Sequence, residues 1–406
     1  METAQIESID GGTVTSPQGF CAGAVYAGIK KVSDNALDLG ILFSEIPCIT
    51  TGLFTTNKIK SAPVLLCQER IRKGRAIAVV VNSGCANAST GKQGIADAAE
   101  MASLAASAIG TDPADVLVAS TGVIGQPLPI KLIEDGLKNI ALSNDGGHQF
   151  AKAIMTTDTF PKETAVVTRI DEVEFTIGGV AKGSGMIHPN LATMLSFLTT
   201  DIAVELDFLK SALQKAADVS FNMVSVDGDT SPSDTVLIMA NGKAGNEPVS
   251  EDSPLATTFQ QTLDHVCIYL AKSIARDGEG ATRLIEVTVN GALNAAEARL
   301  AARTIVSSPL VKAAVYGCDP NWGRILAAVG RSGIELVESS IDLSIRDIPL
   351  VRGGIPLPFS REAIAQVLGQ SEVPITLNLN LDSGSATAWG CDLSEQYVVI
   401  NSQYTT

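Results

Sequence analysis

Aromatic residues are scarce in this chain: Phe, Trp and Tyr make up 4% of 406 residues, although 45% are apolar. Large rings cannot fill an interior of that size, so Ala, Val, Ile and Gly must, as in layered α/β proteins with close helix–sheet packing. Positive charge is short as well. Against 44 Asp and Glu stand 29 Lys and Arg, a formal charge of −15 with a pI near 4.7. That balance argues against nucleic acid and anionic membranes as partners. No apolar run approaches the ~18 residues of a membrane span. The opening Met1-Glu2-Thr3-Ala4-Gln5-Ile6-Glu7 has neither the basic region nor the apolar stretch of a signal peptide, so a cytoplasmic location is expected. Seven cysteines (21, 48, 67, 85, 267, 318 and 391) are scattered without a C-x-x-C pair. They read as reduced, mostly buried thiols; no metal and no cofactor is expected.

What is present is a succession of short apolar strands and amphipathic helices. Leu37–Ser44, a second strand before Gly52, Ile77–Asn82, Val116–Ser120, Val173–Ile177, Phe221–Val226, Leu284–Val289, Val311–Gly317 and Ile375–Leu381 read as strands. Gln93–Ala108, Leu206–Val219, Asn294–Val306 and Ser360–Leu368 read as helices. Another helix starts at Ser253-Pro254, with one apolar stripe through Leu255, Phe259, Leu263, Val266, Leu270 and Ile274. The pattern predicts an α/β layered fold with mixed sheets, without internal repeat or linker. Strand, Gly loop and helix succeed one another around Ser83–Ala88, as in phosphate sites. Neither Gly-Lys-Ser/Thr nor G-x-G-x-x-G accompanies them, which excludes a nucleotide fold.

Chemistry concentrates between Ala181 and Asp201. The Gly183-Ser184-Gly185 turn and Pro189 give way to Leu191-Ala192-Thr193-Met194-Leu195, so a hydroxyl stands where a loop enters a buried run. A Thr hydroxyl needs a base to be a nucleophile. A cut between Ala192 and Thr193 would supply one, the new α-amine with a pKa of roughly 7.7–8.0. That source matters in a chain with only three histidines, 148, 188 and 265. On spacing alone a small strand residue is the commoner reading of Thr193. Other candidates carry similar alternatives. Thr121-Gly122 at a strand end is an oxyanion hole or a plain Gly turn. Thr156-Thr157-Asp158-Thr159 before Pro161 is a site or a cap. Glu279, between two glycines, meets a cationic ligand or simply solvent.

The run Lys182-Gly183-Ser184-Gly185-Met186-Ile187-His188-Pro189-Asn190-Leu191-Ala192-Thr193-Met194-Leu195 resembles the self-cleavage segment of the ornithine acetyltransferase family, the glutamate N-acetyltransferases of the cyclic arginine pathway. Further words spread the resemblance from Gly11 to Thr406. They are Gly52-Leu53-Phe54-Thr55-Thr56-Asn57, Ala62-Pro63-Val64-Leu65, Ser120-Thr121-Gly122-Val123-Ile124-Gly125, Asp277-Gly278-Glu279-Gly280-Ala281-Thr282 and Asp319-Pro320-Asn321-Trp322-Gly323-Arg324. Two words depart from the family: Cys85 stands in a loop that usually reads Asn-Ala-Asn-Ala, and Ser233 replaces an Asn.

The resemblance implies an α-β-β-α sandwich of N-terminal-nucleophile type. Self-cleavage would give an α chain of residues 1–192 and a β chain of 193–406, one intertwined fold. It further implies Thr193 as nucleophile, Thr121 and Gly122 as oxyanion hole, and a substrate pocket of Thr156 (or Thr157), Lys182, Thr193, Glu279, Asn401 and Thr406. The substrates would be N2-acetylornithine and glutamate, with acetyl-CoA as a possible second donor, and the assembly two copies of each fragment. Trp322 and Arg324 would lock a turn. A self-processing aminopeptidase, giving its acyl group to water, is the alternative on the same fold. A non-enzymatic acidic binding protein is the alternative of another class, and it leaves the Ala192-Thr193 context unexplained.

Overall fold

A computed structural model describes residues 5–30, 36–188 and 194–403. Its architecture is a layered α/β sandwich with two mixed sheets. Among the described residues the first sheet has nine strands, in the order Gln5–Ser8, Lys162–Ile170, Val173–Lys182, Leu195–Thr200, Thr235–Ala240, Leu39–Phe54, Arg75–Cys85 and Val116–Val123, with Phe20–Val25 paired to Leu39–Phe54 as well. Most neighbours are antiparallel. Leu195–Thr200 runs parallel to Thr235–Ala240, and Arg75–Cys85 parallel to Val116–Val123. The second sheet has seven: Ile355–Pro356, Ile348–Arg352, Asp342–Ile345, Glu372–Asn378, Leu284–Ala292, Gly384–Cys391 and Val224–Ser225.

Small side chains make the layers close. Helices Ala62–Arg70, Gly91–Ile109 and Gly147–Ile154 bury Ala98, Ala102, Ala105, Phe150 and Ala151 against one face of the first sheet. On the other face lie Leu206–Val219 and Ala256–Arg276, the latter touching both sheets. Its expected stripe is the buried one: Phe259, Leu263, Val266, Leu270 and Ile274 are at most 1% exposed. The second sheet carries Ala295–Val306, capped by Asn294, whose side chain accepts the Glu297 amide.

Several boundaries differ from the pattern. Leu39–Phe54 is one strand of 16 residues with a register shift between Phe43 and Cys48, where two strands were expected. Phe221–Met223 is a 3₁₀ turn and only Val224–Ser225 pairs as strand. The helix expected from Ser253-Pro254 begins at Ala256, after a turn. Most of Val311–Gly317 lies in the helix Pro309–Tyr316, which Gly317 ends: Pro309 occupies its first turn, and the apolar run is buried on one side only. The tail run Val398-Val399-Ile400 belongs to the helix Glu395–Gln403. His265 is exposed.

Candidate active site

The strand Val116–Val123 carries Thr121 and Gly122 to one end of the first sheet, in register with Ser83 and Gly84. The two backbones approach so closely that a Cβ on Gly122 would lie 2.4 Å from the Gly84 carbonyl carbon, and φ is +125°. Only glycine fits there, next to Thr121. The neighbouring loop closes over this strand: the Ala86 amide donates to the Val123 carbonyl at 2.9 Å. Cys85, where the family has Asn, is buried and directed at the carbonyls of Gln126 and Pro127, so that Ala86 rather than Cys85 lines the pocket.

Thr121 and Gly122 open onto a pocket shared with Thr156, Thr157, Lys182, Glu279 and Asn401. Every described candidate therefore meets in one place. Ala192, Thr193 and Thr406 lie outside the described residues. The strand Val173–Lys182 delivers Lys182, whose Nζ donates to Thr156 Oγ1 at 2.8 Å. Thr157 bonds the Ser184 hydroxyl at 2.6 Å. Glu279 is fixed by its own amide, which donates to the Ser184 carbonyl at 2.8 Å, and by Asn401, whose Nδ2 donates to Oε2 at 2.7 Å. Gly185 gives that carboxylate room, since a Cβ would come within 2.4 Å of Glu279 Cδ.

The charges are set by burial. Burial lowers the pKa of the Lys182 ammonium; the Asp158 carboxylate 3.9 Å away counters this in part, while Lys162 adds to it. Burial also raises Asp158, but Lys162 and Lys182 outweigh it and hold the carboxyl below its ordinary range. Lys30 is lowered to about 8 by burial, partly offset by Asp38. Among the described residues no group of His, Cys, Asp and Glu is arranged to hold a metal ion. No helix there is long and apolar enough to cross a membrane.

Sequence reasoning missed part of this environment. Ser231, Pro232 and Ser233 form a wall of the pocket. They are held by Thr55, whose hydroxyl donates to the Ser231 carbonyl at 2.7 Å, and by the Ser61 amide on the Pro232 carbonyl at 2.9 Å. The Gly52–Asn57 and Ala62–Leu65 words thus support the wall from behind. Asp234 is missed too. Its Oδ1 accepts the Met194 amide at 3.1 Å, Oδ2 has no partner among the described residues, and burial raises its pKa well above the carboxylate range. Ser233, just before the Asp234-Thr235 pair, stood out in the sequence as a departure from the family word, but nothing local placed that pair at the pocket. Trp322 opens the helix Gly323–Gly330, and Arg324 donates to the Leu310 carbonyl at 2.9 Å, a structural tie between two helices.

The profile of the ArgJ family matches residues 21–406. The chain is 53% identical over 403 residues to the arginine biosynthesis bifunctional protein ArgJ of Dehalococcoides mccartyi, covering 99% of this chain and 100% of that protein. It is 52% identical over 397 residues to the protein of that name from Symbiobacterium thermophilum, covering 97% and 99%. The crystal structure of the Bacillus halodurans arginine biosynthesis bifunctional protein argJ is similar with a TM-score of 0.51 and 46% identity, over 52% of this chain and 100% of that one. An ornithine acetyltransferase from Mycobacterium tuberculosis, solved with ornithine, is 38% identical over 46% of this chain and 99% of that one, with a TM-score of 0.42.

Proposed function

The chain belongs to the ArgJ family and is an enzyme of arginine biosynthesis, and on that premise we propose that it moves the acetyl group of N2-acetylornithine to glutamate through an ester on Thr193. The observation that carries the reading is the convergence of an oxyanion pair (Thr121, Gly122), a buried ammonium (Lys182) and a carboxylate (Glu279) in one pocket. An amino-acid substrate offers a carboxylate and an ammonium, the complements of the last two.

In this mechanism the chain is cut between Ala192 and Thr193, leaving fragments of 192 and 214 residues. The Thr193 α-amine takes the hydroxyl proton as Oγ attacks the acetyl carbonyl. Thr121 and the Gly122 amide donate to the oxyanion. The C–N bond breaks, the amine takes the proton and ornithine leaves, with Glu279 having held its side-chain ammonium and Lys182 its carboxylate. The α-amine of glutamate then attacks the acetyl ester, and N-acetylglutamate departs. Thr156, Asn401 and Thr406 complete the substrate pocket. The thioester of acetyl-CoA can load Thr193 by the same attack, giving the second activity that the name "bifunctional" gives to the relatives. The working assembly is two copies of each fragment.

Support for cleavage comes from the matched Bacillus halodurans chain, which spans 52% of this one, close to the 214 of 406 residues that follow the cut. A cytoplasmic setting is supported by seven unpaired cysteines, five of them buried. Intact-mass measurement of the purified protein before and after adding N-acetylornithine tests the reading. Two fragments are expected, the one beginning at Thr193 gaining one acetyl group that glutamate removes. A single uncut chain, or an acetyl group elsewhere, would overturn it.

A further inference from the structure

Behind the pocket lie four buried charges, of which the mechanism uses only Lys182. Asp158 and Lys162 have no side-chain exposure, Asp277 has 3% and Lys182 4%. Lys162 Nζ stands between two carboxylates, donating to Asp158 Oδ1 at 2.6 Å and to Asp277 Oδ2 at 2.5 Å. Its ammonium also lies 5.0 Å from the centre of the Phe160 ring.

Each carboxylate reaches on towards the substrate end of the pocket. Asp158 Oδ1 accepts the Gly183 amide at 2.7 Å, Oδ2 accepts the Thr156 amide at 3.0 Å, and the Lys182 ammonium is 3.9 Å away. Asp277 is two residues before Glu279, and it accepts the Thr159 amide at 3.0 Å and the Thr159 hydroxyl. A buried ion network is weak evidence for stability, because apolar residues of similar volume often serve as well. Its place on the two segments that carry Lys182 and Glu279 needs another explanation.

We propose that Lys162 is a positioning residue that holds the Lys182 ammonium, through Asp158, and the Glu279 loop, through Asp277, at a fixed separation matched to the substrate. The proposal rests on the substrate reading above. It also spans the proposed cut: Asp158, Lys162 and Lys182 precede Thr193, whereas Asp277 and Glu279 follow it. After cleavage the Lys162–Asp277 pair is a link from one fragment to the other at the pocket itself.

Lys162→Met alone leaves three charges unbalanced, so the variant to use is Lys162→Met with Asp277→Asn, which keeps the neutral Asp158–Lys182 pair. Cleavage and melting temperature are expected near those of the wild type. KM for N-acetylornithine should rise about 10- to 100-fold, the usual effect of losing a supporting contact, with kcat nearly unchanged. In a Glu279→Gln background the same pair of substitutions should raise KM by a smaller factor, because one of the two groups it positions is already gone. Thr159→Val, which alters no charge, should raise KM in the same sense but less. A wild-type KM in the double variant, or an equal rise in both backgrounds, would overturn the relay in an enzyme that is otherwise active. A wild type that transfers no acetyl group would overturn the substrate reading, and this proposal with it.

Discussion

Thr121 and Gly122 do different work at adjacent positions. The glycine is required by the Gly84 backbone pressed against it; the hydroxyl is free to face the pocket. Thr121→Ala should therefore leave the fold and KM unchanged while kcat for acetyl transfer falls ~10²- to 10³-fold, the effect of losing one oxyanion donor. The proposed self-cleavage, which would pass through a tetrahedral centre of the same kind, should slow with it, as a gel time course would show. Lys182 gives a pH test. Burial lowers its pKa, so the ammonium is fully present at low pH and is lost, as pH rises, sooner than for an ordinary lysine. KM for N-acetylornithine should be flat below that point and climb above it, and Lys182→Met should show a high KM at every pH. Meanwhile kcat should rise through the pKa of the proposed Thr193 amine, roughly 7.7–8.0, so the two limbs are separable in initial-rate profiles.

Among the elements, the helix Glu395–Gln403 brings Asn401 to the pocket and to Glu279. Its seat is made by Gly280, at φ +71°, where a Cβ would come within 2.6 Å of the Tyr397 amide nitrogen. Ser394 adds a bond from its hydroxyl to the Gly280 carbonyl at 2.6 Å. Gly280→Ala is expected to lift the helix and break the bond from Asn401 to Glu279. A hydrogen bond to a charged group is worth about 1.5–3 kcal/mol, so KM should rise roughly 10- to 150-fold. Asn401→Ala should match it in a steady-state assay, whereas cleavage, which needs no substrate pocket, should proceed normally in both. Equal KM values in wild type and variants would remove the helix from the site.

Across the whole molecule, the strands on either side of the proposed cut alternate within one sheet. Leu195–Thr200 lies between Val173–Lys182 and Thr235–Ala240, and Thr235–Ala240 pairs in turn with Leu39–Phe54. Segments 1–192 and 193–406 therefore share two seams of backbone hydrogen bonds, and these central strands are buried throughout. Pulling the fragments apart would expose that apolar surface and both edges at once. Two bands on a denaturing gel should accordingly elute as one species in size-exclusion chromatography, separating only in denaturant.

The sequence by itself determined what depends on near neighbours along the chain. Periodicity marked the helices at Leu206–Val219 and Ala256–Arg276, and scarce aromatics with abundant small residues pointed to closely packed layers. The words around Lys182, Thr121 and Glu279 identified the segments that meet in the pocket. Local pattern failed where a short apolar run fits either period, as at Val311–Gly317: so few residues satisfy strand and helix alike until packing exposes one side. Tertiary structure alone decided the rest. Lys162 and Asp277 are 115 positions apart, and Asp234 meets the Met194 amide from 40 positions away. A lone Lys or Asp in a sequence looks solvated, because nothing local shows its desolvation or its partner. Only the closing of the fold brings such charges together without water, and burial is what makes each of them matter.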